Sequence, residues 1–129
     1  MVSAKEQKEY VYWTDKVVED IQQRVKKNKA LQKIVKERGY IVYDEKTPSG
    51  TIHIGSGRGW VIHDAIAKAL RDKGVKARFI LSSDDMDPLD KPSKELSQQE
   101  NERYIGVPFK HIPSKVKGYK SFGDYYFRQ

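Results

Sequence analysis

The chain has 129 residues, enough for one domain with a real core and small for a complete multistep enzyme. It carries 25 Lys and Arg against 18 Asp and Glu, a net charge of +7, which favours nucleotides, RNA or anionic surfaces over basic partners. Cysteine is absent, which excludes a disulfide framework and thiolate metal sites. No apolar run approaches the ~20 residues that span a bilayer, and no signal-peptide pattern opens the chain, so the cytoplasm is the expected compartment.

Residues 1–12 are polar and read as a flexible N-terminus, leaving 13–129 as the folded part. From Trp13 to Arg38, Val17, Val18, Ile21, Val25, Leu31, Ile34 and Val35 recur at helical spacing. Thr14 or Asp15 is the expected cap and Gly39 the stop, while the basic group Lys26–Lys29 divides the stretch into two helices. Tyr40–Tyr43, β-branched and aromatic, predicts a strand. A loop reading TPSGTIHIGSG (Thr47–Gly57) leads into a helix from about Gly55 to Lys73, with Trp60, Val61, Ile62, Ala65, Ile66, Ala69 and Leu70 as its apolar face. Gly74 closes that helix, and Val75–Ser82 predicts a second strand. Strand, helix and strand with short joins make a βαβ unit, which demands parallel strands and implies a Rossmann-like sheet. Beyond it lie an acidic loop, SSDDMDPLD (Ser82–Asp90), a polar segment through about Arg103, the turn Gly106–Phe109, and a tail rich in Lys, Tyr and Phe.

In an open α/β sheet, ligands bind outside the carboxyl ends of the strands, where both loops lie. The first loop ends at a helix N-terminus, whose unpaired N–H groups and partial positive charge suit a phosphate. The dipole alone offers about 0.3–2 kcal/mol, so side chains must assist. Glycines at 50, 55, 57 and 59 allow an anion to approach the backbone, and His53 can donate to a phosphate oxygen as charge develops on it. A glycine-rich join also serves plain helix–sheet packing, and a loop histidine is often only an exposed polar group; physics alone leaves both readings open. The spacing matches neither the dinucleotide fingerprint nor the P-loop. Asp84, Asp85 and Asp87 could equally cap a helix, face solvent or pair with a cationic ligand.

The set Thr47-Pro48-Ser49-Gly50, then His53-Ile54-Gly55-Ser56, resembles the "HIGH" signature of class I aminoacyl-tRNA synthetases. Together with the helix ending LRDKG, the run Asp84-Asp85-Met86-Asp87-Pro88-Leu89 and the later Tyr104–Pro108, it is similar to the archaeal-type class I lysyl-tRNA synthetases, from about Tyr12 almost to the C-terminus. The resemblance implies the first half of a HUP-type, Rossmann-like catalytic domain. It also implies ATP with Mg²⁺, lysine and tRNA as reaction partners: lysine is activated as its adenylate and then transferred to the tRNA 3′ end. On that reading His53 and Ser56 are catalytic, and Pro48, Ser49, Gly50, His53, Gly55 and Ser56 bind ATP. Thr47, Asp84 and Asp85 face the lysine. Such a reaction is mostly positioning and charge stabilisation, and needs no protein nucleophile.

The chain departs from the family pattern in three places. Ser56 stands where this branch often has Asn, which keeps a hydrogen-bonding group but shortens its reach. The tail carries Gly118–Ser121 and Tyr125-Tyr126 where archaeal members tend to carry a Cys/His zinc cluster, so no zinc site is expected. The aromatics and lysines of that tail could stack on the tRNA acceptor end, although their helical spacing favours core. The second signature, KMSKS, is missing, as is an anticodon-binding domain. The expectation is therefore an N-terminal catalytic piece, weak or inactive alone, whose other half comes in cis or in trans. Two other functions fit parts of the pattern: a small nucleotidylyltransferase with an HxGH loop, and a non-catalytic RNA-binding module with strongly salt-dependent affinity.

Overall fold

The computed structural model describes residues 10–129. Of the flexible stretch expected at 1–12, residues 1–9 lie outside the described residues; Tyr10 donates its hydroxyl to Glu19 Oε2 at 3.1 Å. The chain forms α1 (Trp13–Lys26), α2 (Lys29–Arg38), β1 (Tyr40–Lys46), α3 (Ile54–Asp72), β2 (Ala77–Ser83), α4 (Gln98–Tyr104), a 3₁₀ turn (Phe109–His111) and α5 (Phe122–Phe127). These divide into two compact units, residues up to Val42 with Ile62–Phe79, and Tyr43–Val61 with Ile80–Gln129.

In the first unit, the expected break between two N-terminal helices falls at Asn28. Its side chain leaves the lysine run and caps α2, accepting from the N–H of Ala30 and Leu31 at 3.0 and 3.2 Å. The cap expected at Thr14 or Asp15 is not formed. Tyr12 is the N-cap of α1 and makes no side-chain cap bond, while Asp15 sits inside the first turn and pairs with Lys73 at 3.3 Å. Gly39 ends α2 at φ 77°, and a Cβ there would lie 2.7 Å from the Lys76 carbonyl oxygen, so only glycine fits. Among the described residues, Val18, Ala67 and Leu70 are the buried apolar side chains of this unit. Here Tyr40 donates its N–H to Lys76 O at 2.8 Å.

In the second unit, Asp84 donates its N–H to Lys46 O at 3.0 Å, so the strands meet start to start and end to end. They form the parallel two-stranded β1–β2 pair expected of a βαβ unit. The second unit's core is Leu89, Leu96, Phe109, Ile112 and Phe122, with Tyr104, Val107 and Tyr126 packed on it. The tail aromatics therefore contribute to a core, as their spacing favours. The acidic loop is held by backbone pairing to the Gly106–Phe109 turn: Leu89 N–H to Val107 O, Gly106 N–H to Leu89 O, and Phe109 N–H to Asp87 O, all at 2.9–3.0 Å. The polar segment before Arg103 contains a helix the periodicity did not reveal. Ser97 and Glu100 close a capping box at its start.

On α3 the apolar face is wider than what is covered. Ala67 and Leu70 are buried, but Val61 is 71% and Ile62 40% exposed. No helix among the described residues is long and apolar enough to cross a membrane.

Candidate active site

The TPSGTIHIGSG loop leaves β1 at Lys46 and enters α3 at Ile54, within the second unit. Its entrance is fixed first. Thr47 donates its hydroxyl to Asp87 Oδ2 at 2.6 Å, tying the loop to the acidic loop. Pro48 is fully buried, and Gly123 of α5 packs so closely that a Cβ there would lie 3.2 Å from Pro48 Cγ and 3.3 Å from Asp85 Cβ. The middle of the loop lies on Glu95. A Cβ on Gly50 would meet Glu95 Cγ at 3.3 Å, and Thr51 donates its hydroxyl to Glu95 Oε1 at 3.0 Å.

The exit of the loop carries the histidine. His53 is exposed, and its carbonyl accepts from the N–H of Ser56 and Gly57 at 2.9 and 3.2 Å, closing the first turn of α3. The imidazole lies over Gly55: a Cβ there would stand 3.0 Å from Nδ1 and 3.1 Å from Cε1. Ser56 Oγ is 3.4 Å from His53 Nε2. An imidazole, a hydroxyl and a helix N-terminus thus present donors to one small region, which suits an oxyanion.

His53, Ser49 and Gly50 line a cavity of about 230 Å³, together with Lys46, Lys94 and Glu95. That volume is below the ~300–1,000 Å³ of a complete small-molecule pocket. Lysines on this rim supply positive charge that the sequence motif did not point to.

Of the expected substrate-lysine residues, Thr47 is tied to Asp87 at the loop entrance, and Asp85 approaches Pro48 of the same entrance across Gly123. Asp85 lines a different cavity, of about 420 Å³, with Lys110, His111, Lys120 and Asp124. Asp84 has its carboxyl raised above the ordinary 3.8, by desolvation first and then by the neighbouring charges of Asp87, Glu45 and Asp85. A carboxylate so surrounded gains from a cation beside it. No cluster of three or more His, Cys, Asp or Glu among the described residues could hold a metal ion. Glu95, the residue sequence reasoning missed, is 44 positions from Thr51, and no local pattern announces that pairing.

An α/β unit with a His-Ile-Gly-Ser helix entrance is the architecture of the HIGH-type nucleotide-binding enzymes. The chain belongs to the class I tRNA synthetases of the "tRNA synthetases class I (K)" family, whose model matches residues 11–129. It is similar to the lysine–tRNA ligase of Methanococcus maripaludis, 41% identical over 98 residues, covering 74% of this chain and 18% of that protein. The lysine–tRNA ligase of Methanocaldococcus jannaschii is 36% identical over 118 residues, covering 92% and 20%. That of Treponema pallidum is 32% identical over 124 residues, covering 92% and 21%. The chain spans about a fifth of the length of the curated relatives it matches.

Proposed function

We propose that these residues form the nucleotide-facing wall of an ATP-dependent lysine–tRNA ligase acting in the cytoplasm. The observation that carries the reading is the exposed His53 imidazole, seated over Gly55 at the N-terminus of α3. In this proposal ATP arrives with its Mg²⁺, and its phosphates lie at the positive N-terminal end of α3, beside the N–H groups of Ile54 and Gly55, those of Ser56 and Gly57 being bonded to the His53 carbonyl. The carboxylate of lysine attacks the α-phosphorus in line; a P–O bond forms, the bond to pyrophosphate breaks, and lysyl-adenylate results. His53 and Ser56 donate to phosphate oxygens as charge builds there. Gly55 leaves room for the His53 imidazole over the start of α3, and Ser49 and Gly50 edge the phosphates while buried Pro48 supports the loop from beneath. Thr47, Asp84 and Asp85 form the lysine side, with a carboxylate answering the ε-ammonium. Lysine then passes to the 3′ end of tRNA, which the +7 charge favours as a partner. Further polypeptide, in cis or in trans, completes the ATP and tRNA surfaces.

The test is ATP–pyrophosphate exchange with each of the twenty amino acids, run on the chain together with the polypeptide that completes the site. Exchange should depend on lysine, and His53→Ala should lower it by about 10²-fold, the cost of one lost oxyanion donor. Exchange that is indifferent to lysine, or unchanged in His53→Ala, would overturn the assignment.

A further inference from the structure

We propose that Glu95 is a positioning residue for the phosphate-facing loop, acting through Thr51 and latched in place by Tyr126 of α5. The carboxylate is shared by two elements far apart in sequence. Oε1 accepts the Thr51 hydroxyl at 3.0 Å and the Thr51 N–H at 3.5 Å, and Oε2 accepts the Tyr126 hydroxyl at 3.0 Å. Thr51 lies two positions before His53, so a clamp on Thr51 limits where the imidazole can stand.

The base that presents Glu95 is rigid. Asn101 is buried and uses its whole amide: Oδ1 accepts from Ser93 N–H at 2.7 Å, and Nδ2 donates to the carbonyls of Ser93, Leu96 and Ser97 at 3.0–3.1 Å. Glu95 N–H donates to Ser93 Oγ at 3.2 Å, and its carbonyl accepts from Lys115 Nζ at 3.2 Å. Lys115 also reaches Glu100 at 2.6 Å. The charge environment agrees. The Thr51 and Tyr126 hydrogen bonds hold the Glu95 carboxyl below its ordinary 4.5, while desolvation and Glu95 push the Tyr126 phenol up to about 12. Glu95 lines the His53 cavity, yet both of its oxygens are already engaged within the chain, which suits a clamp better than a ligand contact. The C-terminal helix and the loop thereby share one anchor.

The link to phosphate chemistry rests on the proposed function; the clamp does not. The clamp is read first by amide hydrogen exchange on the chain without nucleotide. Glu95→Ala should raise exchange at Thr51–Gly57 by about ten- to a hundredfold, the loss of a charge-assisted hydrogen bond. Glu95→Gln, which keeps an acceptor for Thr51, should recover most of the protection, and Tyr126→Phe should fall between. Protection at Gln98–Tyr104 reports whether the base still folds. Unchanged loop exchange in Glu95→Ala with α4 intact would overturn the clamp. So would equal loosening of loop and α4 in Glu95→Ala and Glu95→Gln alike. In lysine-dependent exchange, Glu95→Ala should lower kcat more than it raises the lysine KM, and Glu95→Gln should restore kcat. If Glu95→Gln is as poor as Glu95→Ala in kcat while loop protection is restored, Glu95 touches substrate and the positioning role is wrong. Loosening of the loop, with no lysine-dependent exchange even when the completing polypeptide is present, would sink the proposed function and leave the clamp standing.

Discussion

Gly55→Ala separates function from folding at the centre of the site. The added methyl would stand 3.0 Å from His53 Nδ1 and 3.1 Å from Cε1, where ordinary contact begins at 3.4 Å. Relief requires a shift of 3.4 − 3.0 = 0.4 Å, and the exposed imidazole is the group free to make it. Two terms then oppose each other in stability. Alanine in a helix gains about 0.5–1 kcal/mol over glycine, and pushing the imidazole off its rotamer costs about 0.5–1.5 kcal/mol. The sum lies within about 1 kcal/mol of zero, so the melting temperature should move by no more than about 5 °C. Catalysis has no such compensation. If a 1 Å misplacement costs about 10²-fold, 0.4 Å costs about five- to tenfold in lysine-dependent pyrophosphate exchange. Thermal unfolding and exchange on the same preparation check both halves. A variant with full exchange, or one that melts more than about 10 °C lower, would show that the imidazole does not lie where this reasoning needs it.

Further outcomes follow from the same geometry. Asp84→Asn and Asp85→Asn should raise the lysine KM more than the ATP KM; equal effects on both would demote these carboxylates to structural roles. Asn101→Ala should destabilise the protein by about 2–3 kcal/mol, because it strands backbone groups around a buried amide; denaturant unfolding measures it, and a loss under about 0.5 kcal/mol would contradict that bonding. Glu100 is held down to about 2 from 4.5, first by Lys115 and then by Ser97. The stability it lends is therefore complete above pH 4.5 and lost as pH falls from 4.5 through about 2. Amide protection in α4 should follow that course, and Glu100→Gln should remove the dependence over that window.

The elements with strong local signals were legible in the sequence. Gly39 and Gly74 mark true helix ends with positive φ; the β-branched and aromatic run at Tyr40 marks one strand of the parallel pair, and the stretch expected at Val75–Ser82 holds the other, which begins at Ala77 and ends at Ser83. The break near Lys26–Lys29 was visible, although the physical agent is the Asn28 cap and not charge repulsion. The start of α1 was misread because Thr14 and Asp15 are good cap residues by type, yet the backbone turns extended at Tyr12. Helix α4 was missed because seven residues carry too little periodicity, although Ser97-x-x-Glu100 spells its capping box. The closeness of His53, Gly55 and Ser56 was legible because one short loop contains them. Asp84, Asp85 and Asp87 were legible as an acidic run after the second strand, whereas the cavity that Asp85 shares with Lys110 and Lys120 arises from packing and was not. Glu95 was invisible because its role arises from packing between segments 31 and 44 residues apart.

The central claim is that a triphosphate sits against the first turn of α3 beside His53. Titrating ATP with Mg²⁺ into the isotopically labelled protein, and following backbone amides and histidine ring signals by NMR, addresses it directly. The account predicts that the largest shifts fall on Ile54–Gly57 and the His53 ring, and that His53→Ala diminishes them. Shifts concentrated instead around Lys110, His111 and Lys120, with the α3 entrance silent, would contradict it.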